Sequence, residues 1–430
     1  MKKIKKIVAT ALIGAITAMS LIGCGNSKEA KEPSINQGGK EKLTVWLPPI
    51  GDNDAPLWKS IFEKFEKENN VEVKLEIIPW ENYPEKYATA ISAGKGPDVG
   101  YMYAEMFPQF IQMGAVENLK DYYTKEDYEN YTYLDAAKMM GGVYGLPIEA
   151  ANPALLYYNK DILKSIGEEP PKTWDDFERI CKKATKDTNG DGKVDQWGFA
   201  QGWGAKFFGD LNWNWYGFLW QAGGELYNKD LKTVKFNDAS GQRAAEFLYK
   251  LNVKDKVVPE DSLSKTNKEM FETVFAKGKA AFAIHLSSTS TNMLDKEYKN
   301  LNYGFITSLK DKTKGTFASV DQLTLMSAAK NKDLAFKLMK YMLSVESMTK
   351  FHKVNPRAPM TKNEPYQGDP KFEKLVKEDK GVYRPLTVAP HGVEVYEYLW
   401  KQLQSMVAGQ KSPKEALDDA AKYANDLLAQ

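Results

Sequence analysis

The chain has 430 residues and a formal charge of +2, with 27% charged and 43% hydrophobic residues. That near-neutral balance excludes the concentrated basic face a nucleic-acid partner requires, and the apolar share is that of an ordinary soluble globular protein. After the first few dozen residues no run of ~18 apolar residues occurs, so no second membrane span is expected, and the remaining length exceeds what one hydrophobic core organises, so two domains are expected.

Lys2, Lys3, Lys5 and Lys6 form a positive start, followed by an apolar run from Ile7 to Ile22 softened by small residues. This is the pattern of an export signal rather than of a structural helix. It closes on Leu21-Ile22-Gly23-Cys24, which resembles a bacterial lipobox, in which the Cys becomes the mature N-terminus and carries acyl chains such as palmitate. Residues 1–23 are read as a lipoprotein signal peptide and residues 24–40, rich in Gly, Ser, Lys and Glu, as a flexible tether. Several acyl chains hold far better than one, since each buried CH₂ adds ~0.8 kcal/mol. The chain is thus expected on the outer face of a membrane.

Further on, Leu43 to Trp46 reads as a short buried strand. Asp54 is placed to cap a helix with Pro56 in its first turn and Leu57, Ile61, Phe62 and Phe65 on one face. Val71, Val73, Leu75 and Ile77 alternate with polar residues, the period of a strand. Tyr83 to Ala93 is helical in pattern, and Asp98 to Met102 is a strand after the Gly94-Lys95-Gly96-Pro97 stop. Further strands are predicted at Ala154–Tyr158, Gly198–Ala200 and Ala280–His285, then helices at Lys332–Leu343 and Val393–Ala408. A last helix opens at the capping box Ser412-Pro413-Lys414-Glu415. Alternating strands and helices predict an α/β protein. Cys181 on an amphipathic pattern reads as a buried free thiol, and His285, His352 and His391 show no metal-ligand spacing.

Asp187-Thr188-Asn189-Gly190-Asp191-Gly192-Lys193-Val194-Asp195 matches the start of a calcium loop. Asp187, Asn189 and Asp191 offer side-chain oxygens, Lys193 its carbonyl, and Asp195 stands at position nine. Position twelve is Gly198, so the usual bidentate Glu is missing. Structural calcium is expected here, against a plain polar turn as the alternative.

Several segments carry a family resemblance in order along the mature chain. Leu43 to Val73, Gly96-Pro97-Asp98-Val99, Gly145-Leu146-Pro147 through Asp161, Pro171 to Phe177 and Phe275 to Phe282 together resemble the family 1 extracellular solute-binding proteins, the maltose- and multiple-sugar-binding type. The chain departs from the family pattern at Leu286-Ser287-Ser288-Thr289, where a Trp is common. The resemblance implies a two-lobed α/β fold of the periplasmic-binding-protein type II, with a hinge and an interlobe ligand cleft. It implies residues 41–150 and 316–345 in an N-lobe and 151–315 and 346–430 in a C-lobe, with crossings near Ala151-Asn152-Pro153, Lys312–Thr316 and Ser344–Ser347.

The resemblance also implies a monomer without enzymatic activity that captures a carbohydrate, an oligosaccharide in particular, for an ABC permease and its ATPase. Ligand contacts are expected from Trp46, Asp52, Asn53, Asp54, Tyr103, Glu105 and Glu149, and from Trp203, Trp213, Trp215, His285, Ser287, Asp321 and His391. These types fit the chemistry: aromatic rings stack on the C–H face of a pyranose, and charged groups make the stronger hydrogen bonds to hydroxyls. Two alternatives stand beside this. One is a binding protein for a peptide or polyamine, with the same carboxylates facing a cation. The other is a secreted glycosidase, which needs a carboxylate pair.

Overall fold

The computed structural model describes residues 40–51, 53–367 and 381–430. The expected export signal, Cys24, nearly all of the tether and Asp52 lie outside them. Eleven strands are described: β1 (Glu41–Leu47), β2 (Val71–Ile77), β3 (Val99–Met102), β4 (Lys138–Met139), β5 (Gly142–Val143), β6 (Leu146–Asn159), β7 (Trp197–Ala200), β8 (Ala280–Leu286), β9 (Tyr303–Ile306), β10 (Thr316–Leu325) and β11 (Tyr383–Arg384). β4 and β5 form a hairpin of their own, and the rest form one mixed sheet in the order β2-β1-β3-β10-β6-β8-β7, with β11 on β10 and β9 on β6.

The sheet has two halves, each covered by helices, and β6 and β10 join them. The first part of β6 runs antiparallel to β10, from Leu146 opposite Leu323 to Pro153 opposite Ala318. From Ala154 onward β6 pairs instead with β8, and from Leu156 also with β9. The resulting α/β architecture is two-lobed, as the resemblance implies. β10 carries two register shifts, between Ala318 and Val320 and between Asp321 and Gln322. Such irregularities re-aim side chains next to sites.

Helix Asp54–Asn69 buries Leu57, Trp58, Ile61, Phe62 and Phe65 on one stripe, the 3.6-residue repeat of an amphipathic helix. Its N-cap is Asn53, in the left-handed region at φ 57, so Asp54 is the first helical residue rather than the cap. Helix Trp174–Ala184 starts with a Thr173–Asp176 capping box and buries Trp174, whose ring stacks on Phe247 at 4.3 Å. The same helix buries Cys181, a free thiol. Helix Pro413–Leu428 opens with the expected Ser412–Glu415 box.

One expected boundary is corrected. Helix Val345–Val354 does not carry the chain into the second half. It packs on helix Asp54–Asn69, with Phe351 stacked on Trp58 at 4.8 Å and Lys350 donating to the Ser60 carbonyl at 3.0 Å. Thr132 then donates its N–H to the Met360 carbonyl at 2.9 Å, keeping this segment with the first half. The C-terminal helices belong to the second: in Gly392–Val407, Trp400 stacks on Trp203 at 5.2 Å.

Candidate ligand-binding cleft

A cleft of about 1650 Å³ lies where the two halves meet. The joining strands floor it: β10 supplies Phe317, Ser319, Val320, Asp321 and Gln322, and β6 supplies Glu149. The end of β3 and the turn after it bring Tyr101, Tyr103 and Glu105, backed by Trp80. The second half brings Phe207, Asp210, Trp213, His285 and Leu286.

Trp213 is the aromatic platform of that second wall. It stacks on His285 (5.5 Å between centroids, 22°), which stacks in turn on Phe271 (4.7 Å, 23°). The Trp213 indole N–H donates to Asp210, and Asp210 also accepts the Asn267 N–H at 2.9 Å. Burial, partly offset by these bonds, pushes the Asp210 carboxyl up to about 6. His285 Nδ1 lies 2.6 Å from Ser290 Oγ. Burial pushes the imidazole down to about 3, so the ring is neutral at physiological pH. On the facing wall Trp80 and Tyr103 lie 6.1 Å apart, and Tyr103 meets Phe207 edge-on across the cleft at 6.3 Å.

Three buried carboxylates line the floor. Asp321 accepts the Tyr101 hydroxyl at 2.7 Å, and burial, with Glu149 nearby, holds it well above the usual range. Glu105 is 8% exposed and is pushed up to about 7 by burial. Glu149 accepts Arg357 Nε at 2.9 Å. Arg357 also donates to the Ile50 carbonyl at 2.9 Å, the Pro356 carbonyl at 3.0 Å and Thr289 Oγ1 at 3.2 Å.

The structure thus brings Tyr103, Glu105, Glu149, Trp213, His285 and Asp321 together and leaves the other described candidates off the cleft wall. Trp46 packs edge-on against Tyr87 at 5.3 Å beneath the Lys86 ammonium. Trp203 and Trp215 are fully buried core residues. The chain around Trp203 is held tightly, because a Cβ on Gly202 would lie 2.3 Å from the Thr266 backbone. Asn53 is exposed at its cap. Asp54 accepts the Gly51 N–H at 2.9 Å and is pushed up to about 6, mainly by burial. Ser287 is buried, its carbonyl accepting the Tyr157 hydroxyl at 2.8 Å. His391 caps helix Gly392–Val407 at φ 55, beside the wall residue Pro390. Phe207, Asp210, Phe317 and Arg357 were not singled out by the sequence. Phe317 and Asp210 had a signal to offer, each standing within four residues of a predicted contact.

The Asp187–Asp195 loop is held by its own side chains. Asp187 accepts the N–H groups of Asn189 (3.0 Å), Gly190 (2.7 Å) and Gly192 (2.7 Å), and Asp195 Oδ1 accepts the Thr188 N–H at 2.8 Å. Gly190 and Gly192 both sit at φ 83, where glycine is favoured. At position twelve a side chain has no room, since a Cβ on Gly198 would lie 2.5 Å from the Cys181 carbonyl. Among the described residues no three His, Cys, Asp or Glu side chains gather to hold a metal. The donor set therefore fits an ion only in part, through Asn189, Asp191, Asp195 and the Lys193 carbonyl.

With that geometry in place, comparison with known proteins is decisive at the level of family. Residues 49–349 match the model of the bacterial extracellular solute-binding proteins. The chain belongs to that family. Over 446 residues it is 27% identical to the galactooligosaccharide-binding protein of Bacillus subtilis, covering 100% of this chain and 98% of that one. This solute-binding protein also shares its fold with solved structures. One is an ABC substrate-binding protein from Listeria monocytogenes in complex with cycloalternan (TM-score 0.77, 22% identity, 91% of this chain and 100% of that one). Another is the maltose/maltodextrin-binding domain from Bdellovibrio bacteriovorus bound to maltotriose (TM-score 0.73, 24% identity, 90% and 100%).

Proposed function

We propose that this solute-binding protein captures an oligosaccharide in the cleft and delivers it to an ABC permease and ATPase, working from the outer face of the membrane through lipid on Cys24. The observation that carries the reading is the pairing of Trp213, an aromatic face fixed by Asp210, with the carboxylates Glu105 and Asp321 in one cleft. A ring C–H face suits the former and hydroxyl donors suit the latter. A volume of about 1650 Å³ exceeds the ~300–1,000 Å³ usual for a small-molecule pocket, which favours several rings over one. Because both halves line the cleft, a bound ligand contacts both and favours their approach, and the closed form is what a transporter reads.

The test is a thermal-shift screen of the full chain in detergent against mono- and oligosaccharides. A glycan at ~100 times its Kd adds ~2.7 kcal/mol of stability. Stabilisation by a peptide or polyamine and by no glycan would overturn the sugar reading. Calcium in the Asp187–Asp195 loop is proposed as a weak structural clip remote from the cleft. It is supported by alternate oxygen donors and two left-handed glycines, and millimolar extracellular calcium suits a weak site.

A further inference from the structure

The cleft floor is acidic. Among the described residues, four exposed lysines, Lys206 and Lys268 among them, and four exposed acidic residues, Glu81 and Glu397 among them, line the rest of the cleft, where water screens them. Glu105 and Asp321, both 8% exposed, form the buried floor and lie close enough for Glu105 to raise Asp321. Asp321 accepts only neutral donors among the described residues, the hydroxyls of Tyr101 and Ser319. Glu105 receives a hydrogen bond from its own backbone N–H and from no other described residue. The Tyr103 hydroxyl is buried near both carboxylates, without a partner among the described residues. Glu149, by contrast, is matched by Arg357 inside the protein.

Two desolvated carboxylates with no cation among their described partners are costly as ions. A neutral sugar offers them hydroxyl donors, but an ammonium offers donors and the missing charge together, and the charged pair is the stronger bond. Resting on the oligosaccharide reading above, we propose that the cleft selects a saccharide bearing a protonated primary amine, with the ammonium on the Glu105–Asp321 floor and a ring face on Trp213.

Isothermal titration of the full chain in detergent tests this with matched probes that differ by one group: glucosamine against glucose, galactosamine against galactose, and the β-1,4 trisaccharide of glucosamine against that of glucose. N-acetylated forms and spermidine complete the set. The expected result is at least tenfold tighter binding of the amine in one or more pairs, weakened by added salt and by N-acetylation. In Glu105→Gln and Asp321→Asn, each checked for a single cooperative melt, the amine-to-hydroxyl preference falls towards one. If either variant fails to fold, the salt and acetylation dependence of the parent decides. Equal or tighter binding of the neutral partner overturns the inference and leaves the sugar reading standing. Binding of spermidine with no saccharide overturns both, and the absence of binding by every amine-bearing probe at millimolar concentration overturns the inference.

Discussion

At Glu149 a buried carboxylate is answered from within: Arg357 donates to it and to the Ile50 carbonyl, tying β6 to the loop after β1. At Glu105 and Asp321, on the same cleft floor, the carboxylates are left to tyrosine, serine and backbone groups. The first arrangement fixes the frame, because a buried charge and its partner must stay together. The second leaves two buried acceptors open to the cleft. The two arrangements are neighbours, since Asp321 stands opposite Glu149 across β10 and β6.

The largest effect is expected from breaking the matched pair. Arg357→Met leaves Glu149 buried without its guanidinium and should cost about 3–5 kcal/mol in urea unfolding. The double variant Arg357→Met, Glu149→Gln should recover much of that loss. A single-variant cost under about 1 kcal/mol would mean that the pair behaves as a solvated one and the contrast with Glu105 is false.

The unmatched side is tested by pH. The Glu105 carboxyl rises from an ordinary 4.5 to about 7 through burial. The folded chain therefore keeps a proton that the unfolded chain gives up. Its stabilising contribution is full below pH 4.5 and is lost as pH rises through 7, amounting to about 3 kcal/mol by linkage. Asp54 and Asp210, each pushed up to about 6, act in the same direction. His285 acts the other way, its neutral form favouring the fold above its ordinary 6.5 and losing that advantage as pH falls towards 3. Glu105→Gln isolates one group: its unfolding free energy relative to the parent should climb from near zero at pH 4.5 to about 3 kcal/mol above pH 7. A flat difference would place Glu105 in water.

Elements that announce themselves locally were legible. β2 alternates along Val71, Val73, Leu75 and Ile77, and helix Pro413–Leu428 carries its own capping box. β10 was not, because two register shifts break the period of two through Ala318 to Gln322. Glu105, Glu149 and Asp321, expected by resemblance, do line the cleft, while Arg357, 208 residues from Glu149, has no local mark at all. Among the tryptophans, composition was silent on which faces the cleft. Trp213 and Trp215 are two apart at helix Leu211–Asn214 and its end, hence on opposite sides, so only Trp213 of the two lines the cleft. Trp203 is held in the core by its stack on Trp400.

A smaller effect is expected at the platform. Trp213→Ala should weaken the glycan found in the screen by about 10- to 100-fold, the worth of a buried aromatic contact. Asp210→Asn should weaken it by about 5-fold, since the amide replaces one charged acceptor. Glu105→Gln should leave the platform itself intact, visible as unchanged quenching of tryptophan emission on binding. If Asp210→Asn matches Trp213→Ala in size, the carboxylate touches the ligand itself rather than orienting the ring.

The smallest effect belongs to the loop from Asp187 to Asp195, where exposed carboxylates face neither an arginine nor the cleft. Its backbone is already held by Asp187, so removing Asp187 would damage the turn with or without an ion. Asp191 is the better probe, because its carboxylate accepts a single described backbone N–H, that of Lys193 at 2.8 Å. Calcium at five times its Kd adds about 1 kcal/mol. The parent should therefore melt slightly higher in millimolar calcium than in chelator, and Asp191→Ala should lose that increment while ligand affinity stays the same. Magnesium should not substitute, since it demands near-octahedral geometry and gives up water reluctantly. Equal melting with calcium and with chelator would make the loop a metal-free turn, held by the same carboxylate hydrogen bonds that are already in place.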